Sequence, residues 1–264
     1  MYDFGYQRVG SVEEAARLLA ADPEAKLIAG GQTLIPVLKQ RLNRPSTVID
    51  LAGARLAGIK VDGNTVTIGA MTPHGAVAAS QEVRRLIPAL AELAGMIGDE
   101  QVRHRGTIGG SLANNDPAAD YTAAALGLNA TIRTQRREIK ADDFFLGMFT
   151  TALEPDEIIT AVTFPAPEKA AYEKFRNPAS RYAMVGVFIA KTRDGVRVAV
   201  TGAGQNGVFR HTAMEQALAS NLSPDAIANV TTPASEMNAD IHGSAEYRAH
   251  LVGVMAKRAL AKMR

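Results

Sequence analysis

The chain has 264 residues, 47% of them apolar, with 29 Lys and Arg against 27 Asp and Glu for a formal charge of +2. It is longer than one core of ordinary size requires, so two or three subdomains are expected, and its near-balanced charge argues against a nucleic-acid partner. Cysteine is absent, which excludes disulfides, thiolate nucleophiles and Cys-held zinc or iron–sulfur clusters from this chain. Met1 to Gly10 has no apolar core, and no run of about 18 apolar residues occurs that could span a bilayer. The expectation is a cytoplasmic, metal-free protein.

Ser11-Val12-Glu13-Glu14 has the form of a capping box, with Ser11 accepting from one free N–H and Glu14 reaching back to another. Val12, Ala15, Leu18 and Leu19 follow at helical spacing until Asp22-Pro23. Lys26 to Ala29 is a short apolar run ending at Gly30-Gly31, which suits a buried strand. Leu34 to Leu38 is a short helix stopped near Pro45, and Val48 to Leu51 is a second strand. The first fifty residues therefore form a helix and then a compact βαβ unit.

Val61, Val66 and Ile68 flank Asp62-Gly63-Asn64, a hairpin signal. Pro88 to Ile97 is helical and broken by Gly98, and a polar segment from Asp99 to Arg105 leads into Thr107-Ile108-Gly109-Gly110-Ser111. Pro117 to Leu128 is a predicted helix, Ala130 to Thr134 and Ile158 to Phe164 are strands, and Pro165-Ala166-Pro167 is a linker. Beyond it, Val185 to Ala190 and Arg197 to Thr201 pair around Asp194-Gly195. The rest is Ala-rich and helical, ending in Tyr247 to Met263.

Two glycine pairs carry the chemistry. In Ala29-Gly30-Gly31-Gln32-Thr33, between strand and helix, glycines permit positive φ and let backbone N–H groups converge on an anion, with a helix start beyond adding its dipole. In Thr107 to Ser111, two glycines are bracketed by hydroxyls that can donate to phosphate, and Asn114, Asn115, Asp116 and Asp120 follow before and within the next helix. Two such elements in one chain point to a ligand with two phosphates. Gly202-Ala203-Gly204-Gln205-Asn206-Gly207 matches G-x-G-x-x-G, but no helix follows directly and only some sixty residues remain, so it reads as a turn. Arg84-Arg85 and Arg136-Arg137 read as solvated faces, while Arg103 and Arg105 lie close enough to the second glycine pair for a phosphate or partner contact. There is no G-x-S-x-G, no P-loop G-K-[ST] and no H-E-x-x-H, as befits a protein whose chemistry is carried by a cofactor.

With both glycine elements in place, the chain resembles the FAD-binding medium subunit of the xanthine dehydrogenase and carbon monoxide dehydrogenase family of molybdenum hydroxylases. The resemblance covers essentially the whole length. It rests on Ala29 to Pro36, on Gln101-Val102-Arg103 leading to Arg105-Gly106-Thr107-Ile108-Gly109-Gly110-Ser111-Leu112-Ala113, and on Asp116 to Asp120, Pro155 to Ile159 and Tyr172 to Phe175, in the expected order.

The resemblance implies an α+β fold: two N-terminal α/β subdomains of the vanillyl-alcohol-oxidase-like FAD fold, 1–55 and 56–167, and a C-terminal domain of antiparallel strands and helices, 168–264. It implies FAD held by Ala29, Gly30, Gly31, Gln32, Thr33 and Leu34, by Ile97 and Val102, and by Thr107, Ile108, Gly109, Gly110 and Ser111. Asp120 would serve the adenosine or ribose end, Ile159 would supply a backbone contact near the flavin, Lys174 the family's lysine, and Tyr182 the aromatic residue beside the isoalloxazine. No catalytic side chain is assigned. Partner chains would be a small subunit with two [2Fe-2S] clusters and a large one with a molybdopterin-type molybdenum cofactor, as a dimer of heterotrimers that delivers electrons to an external acceptor. Relatives often carry an acid before that tyrosine, where this chain has Arg181. The alternative is a stand-alone FAD-dependent oxidoreductase acting directly on a small substrate.

Overall fold

The computed structural model describes residues 1–263. Strand β1 (Gly5–Arg8), helix α1 (Val12–Ala21), β2 (Lys26–Ile28), α2 (Leu34–Lys39) and β3 (Thr47–Asp50) make the first layer, a three-stranded parallel sheet ordered β1-β3-β2. Ser11 caps α1 by accepting from Glu14 N, and the Glu14 carboxylate accepts from Gly10 N, one residue ahead of the cap. The βαβ unit forms as predicted, with Val48 and Ile49 of the central strand fully buried. The additional strand β1 is exposed throughout. Gly5-Tyr6-Gln7-Arg8 carries no apolar alternation, so only its backbone pairing with β3 makes it a strand.

The second layer is an antiparallel sheet, β4 (Ile59–Asp62) and β5 (Thr65–Gly69) with β6 (Thr131–Thr134), β7 (Glu138–Lys140) and, later in the chain, β10 (Ile159–Pro165), ordered β4-β5-β10-β6-β7. The β4–β5 hairpin turns at Gly63, whose φ is +54°. Helices α3 (His74–Ala79), α4 (Gln81–Leu86), α5 (Pro88–Gly95), α6 (Glu100–Arg105), α7 (Ile108–Asn114) and α8 (Asp120–Gly127) run between β5 and β6. A short turn α9 (Ala141–Phe144) and a small hairpin, β8 (Phe145–Gly147) with β9 (Thr150–Thr151), precede β10.

The polar segment after Asp99 forms α6, capped by the Asp99 side chain, which accepts from Val102 N. Two expectations change here. The second glycine pair is not a loop ahead of a helix: it lies in the first turn of α7, with Thr107 as the cap accepting from Gly110 N at 3.2 Å. Helix α8 starts at Asp120 rather than Pro117, since Asp116 closes a turn by accepting from Ala118 N.

The third layer is an antiparallel meander of β11 (Lys169–Arg176), β12 (Ala183–Thr192), β13 (Gly195–Thr201) and β14 (Phe209–Arg210), followed by α10 (Thr212–Leu218) and α11 (Ala245–Lys262). The segment between the two helices, expected to be helical, holds only short 3₁₀ turns at Pro224–Ile227 and Ala234–Glu236. The G-x-G-x-x-G stretch is a turn: Gly202 sits at φ +81° and a two-residue strand follows it, not a helix.

Helix α8 is buried at all eight of its residues, as an element must be when apolar groups surround it. It packs on β12 and β13 and joins the meander to the second layer. Arg197 of β13 donates to Leu126 O near its C-terminus, a favourable place for a cation. Asp120, in its first turn, is the polar anchor. Lys174 Nζ lies 2.8 Å from Asp120 Oδ1, and Tyr172 Oη donates to the same oxygen at 2.5 Å. Burial raises the Asp120 carboxyl above its usual range, opposed by the Lys174 charge and by the hydrogen bonds from Lys174 and Tyr172.

Removing one partner of such a pair strands the other charge. Lys174→Met is expected to lower unfolding free energy by about 3–5 kcal/mol, and joint replacement of Lys174 and Asp120 by apolar residues to cost much less. Chemical denaturation of both variants checks this; equal losses would show that the pair is not the anchor.

Candidate functional site

Between the first and second layers lies a cavity of about 610 Å³, within the range of small-molecule and cofactor clefts. One wall is the turn from Ala29 to Leu34, and the facing wall is Gly106, Thr107, Gly109, Gly110 and Ser111 at the start of α7. Ile97, Val102, Met71, Ile158 and Ile159 complete an apolar lining, with Lys26, His74, Asp116 and Glu157 as its titratable groups.

The walls approach closely because of glycine. A Cβ on Gly30 would fall 1.9 Å from Arg105 O and 2.8 Å from Gly106 Cα, so Gly30 rests directly on that peptide. Gly31 holds φ at +74°, which turns the chain toward α2. Gly109 is also closely packed, on Ala70, where a Cβ would fall 2.8 Å from the carbonyl oxygen. Gly110 differs: a Cβ there would meet only Thr107 Oγ1 at 3.0 Å and Ala29 Cβ at 3.7 Å, so it marks where the two glycine elements face each other.

Their hydrogen-bonding capacities are unequal. Among the described residues, the N–H groups of Gly30, Gly31, Gln32 and Thr33 donate to no protein acceptor, and the turn's carbonyls at Gly31 and Thr33 accept from Ile35 and Val37. In α7 the first N–H groups are already used: Ile108 N donates to Thr72 O, Gly109 N to Ala70 O, Gly110 N to Thr107 Oγ1 and Ser111 N to Thr107 O. The first turn therefore presents free amides to an anion, whereas the second wall has hydroxyls to offer. This fits a diphosphate, and the cradle left open at Gly110 fits its close passage.

Two titratable groups of the lining are fixed. Glu157 accepts from Arg137 Nε and Nη2 at 2.9 and 2.8 Å, from Thr134 Oγ1 and from Glu154 N. The Arg137 bonds, first among these, hold its carboxyl down at about 2, so it is an anchored anion that positions Leu153 to Ile159 in the wall. Burial, with Arg103 nearby, pushes His74 down to about 4, so its imidazole is neutral. Among the described residues no group of three or more His, Asp or Glu side chains is placed to hold a metal.

The structure thus brings together Ala29, Gly30, Gly31, Gln32, Thr33, Leu34, Ile97, Val102, Thr107, Gly109, Gly110, Ser111 and Ile159 of the residues singled out in the sequence. Ile108 turns into the core and is fully buried. Asp120 stands one residue beyond the wall residue Ala119, in its pair with Lys174. Tyr182 lies apart from this cavity, at the end of a tight loop in which Asn177 N donates to Tyr182 O, and its ring meets His242 edge-on at 6.3 Å. Arg181, beside it, is exposed and adopts φ +65°. Lys26, His74 and Glu157 were missed. Glu157 lies in a stretch already quoted, but its ion pair with Arg137 is invisible until β6 and β10 are adjacent, and a lone His after Pro73 carries no signal at all.

A family model described as the FAD binding domain in molybdopterin dehydrogenase matches residues 2–167, which contain both walls of the cavity. The chain belongs to this family. It is 37% identical to the nicotine 6-hydroxylase medium subunit of Paenarthrobacter nicotinovorans, over 97% of this chain and 95% of that one. It is 34% identical to the carbon monoxide dehydrogenase medium chain of Hydrogenophaga pseudoflava, over 97% and 96%. Among solved structures, carbon monoxide dehydrogenase from Hydrogenophaga pseudoflava superimposes with a TM-score of 0.88 at 35% identity, covering 98% of this chain and 96% of that one. Quinoline 2-oxidoreductase from Pseudomonas putida 86 gives 0.88 at 27% identity, covering 99% and 96%. The family is one of oxidoreductase flavoproteins, and no helix of the described residues is long and apolar enough to cross a membrane.

The two kinds of glycine separate by experiment. Gly30→Ala places a Cβ on backbone and is expected to cost about 2 kcal/mol or more in unfolding free energy. Gly110→Leu is expected to keep a melting temperature near that of the parent while purified protein loses its flavin absorbance. A flavin-loaded Gly110→Leu protein would show that the space between the walls is not used.

Proposed function

We propose that this chain holds FAD in the cavity between its two glycine elements and works as the electron-transfer subunit of a heterotrimeric molybdenum hydroxylase. The observation that carries the cofactor assignment is the turn of free amides facing Gly110 across a cavity of about 610 Å³. Gly30 to Thr33 receive the diphosphate on backbone N–H groups, and Thr107 and Ser111 add hydroxyls from the facing wall. Ala29, Leu34, Ile97 and Val102 exclude water around it, Ile108 anchors the second wall from the core behind it, and Ile159 presents backbone toward the flavin. Asp120 and Lys174 act as one buried pair behind Ala119, and the isoalloxazine extends out of the cavity to reach Tyr182. Bound FAD supplies the capacity to accept electrons singly and release them in pairs.

The division of the chain follows the same reading: 1–55 and 56–167 form the two halves of a vanillyl-alcohol-oxidase-like FAD fold, and 168–264 covers them. Relatives named as medium subunits or chains match over nearly their whole length, which supports partner chains for this one too. We assign to a small partner two [2Fe-2S] clusters, to a large partner the molybdenum cofactor at which substrate is oxidised, and to an external acceptor the electrons that leave FAD. The cysteine-free sequence is consistent with the clusters being held elsewhere and with a cytoplasmic setting. A dimer of heterotrimers is the proposed assembly.

A tag on this chain is expected to recover two further chains in equal amounts, with flavin absorbance near ~450 nm in the purified complex. Substrate oxidation by this chain alone, with no partner recovered, would favour a stand-alone FAD oxidoreductase instead.

A further inference from the structure

His74 has no part in the reading above, yet it is a polar residue in the wall of the cofactor cavity. It opens α3 after Pro73, is 5% exposed and lines the cavity. Its backbone N–H donates to Gly106 O at 2.9 Å, and Pro73 bridges to Thr107. The Nε2–Cδ2 edge of the ring lies against Gly106, where a Cβ would come within 2.6 Å of Nε2. Gly106 itself lines the cavity, so this edge is the one nearer the ligand.

The other nitrogen, Nδ1, is buried without a hydrogen-bond partner. Tyr121 is the neighbouring ring, its centroid 5.3 Å away, and its hydroxyl is also buried without a partner. An unsatisfied buried polar group is costly, and two on adjacent side chains at a ligand cavity call for a reason. A neutral imidazole has one N–H and one bare nitrogen, and burial keeps the Tyr121 hydroxyl protonated, hence a donor. The second wall has no free amide at the start of α7, since Ile108, Gly109, Gly110 and Ser111 all donate within the protein, which leaves its side chains as the donors.

We propose that His74 is a further ligand of the bound cofactor: Tyr121 Oη and Nδ1, not bonded to one another in this structure, come into hydrogen bond when the cofactor binds, which places the ring proton on Nε2, and Nε2–H donates to a diphosphate oxygen beside Thr107. The proposal rests on the assignment of the cavity to FAD. Tyr121 is a positioning residue in this arrangement, setting the tautomer in the way that a hydrogen bond on one ring nitrogen sets the role of the other.

The test is titration of the full-length apo chain with FAD and with ADP, which shares the diphosphate, alongside melting curves. His74→Phe keeps the ring volume and removes both nitrogens; it is expected to weaken FAD and ADP about tenfold or more. His74→Gln, which retains a donor, is expected to recover most of that loss. Tyr121→Phe, which deletes one hydroxyl from a dry core, is expected to weaken both ligands severalfold, and to add nothing when combined with His74→Phe. Unchanged FAD affinity in a folded His74→Phe protein overturns the proposal, as does unchanged affinity in Tyr121→Phe, which decides the matter alone if His74→Phe does not fold. Loss of FAD affinity without loss of ADP affinity overturns the diphosphate assignment. A parent chain that binds no FAD contradicts the reading of the cavity itself.

Discussion

Gly30 sits on the Arg105–Gly106 peptide with no room for a single methyl group, and this contact sets the separation of the two walls. Everything at the site is arranged around it. The first wall is the turn that a three-stranded parallel sheet delivers from β2 into α2; the second is the start of α7, held on the edge of an antiparallel sheet by bonds to Thr72 and Ala70. The sheets share no strand, so their relation near the cavity depends on close packing of backbone on backbone. Well-packed interfaces of this kind are stiff, which suits a cleft that must present several donors to one charged group at once.

The walls divide the work. Free amides come from the first turn, because N–H groups at the start of α2 have no acceptor within their own helix. The second wall has used its amides to fix itself and contributes a smooth surface, hydroxyls and the close approach at Gly110. Further from the cavity, α8 ties the meander to the second layer, and its first turn carries Asp120 into contact with Lys174 and Tyr172. That pair links the wall residue Ala119 to β11. A buried ion pair adds little net stability compared with apolar packing; what it does here is join the third layer to the second at one defined place.

Much of this was legible in the sequence because local chemistry wrote it there. The capping box at Ser11, the strand–glycine–helix order around Ala29 to Leu34, the Gly63 hairpin and the pairing of β12 with β13 each have a short-range cause. The two glycine elements were recognisable for the same reason. What was not legible depended on distant partners. Strand β1 is polar and exposed, and exists because β3 offers it an edge. The helical state of Ile108 to Asn114 contradicts the low helix propensity of two adjacent glycines and is imposed by bonds to Thr72 and Ala70. Asp99 is a cap whose helix is hidden in a polar segment without apolar periodicity. Glu157 acquires its role only when Arg137 arrives from the turn between β6 and β7. Of the predicted residues, Tyr182 lies outside the cavity and Asp120 and Lys174 lie behind its wall, a distinction that order along the chain does not reveal.

The central claim is that a diphosphate passes between Ala29–Thr33 and Thr107–Ser111. A crystal structure of the chain loaded with FAD tests it most directly. The account predicts diphosphate density within hydrogen-bonding distance of the Gly30 to Thr33 amides, with the cofactor passing Gly110 at van der Waals contact. Density for the diphosphate elsewhere on the protein, with these amides facing solvent, would contradict it.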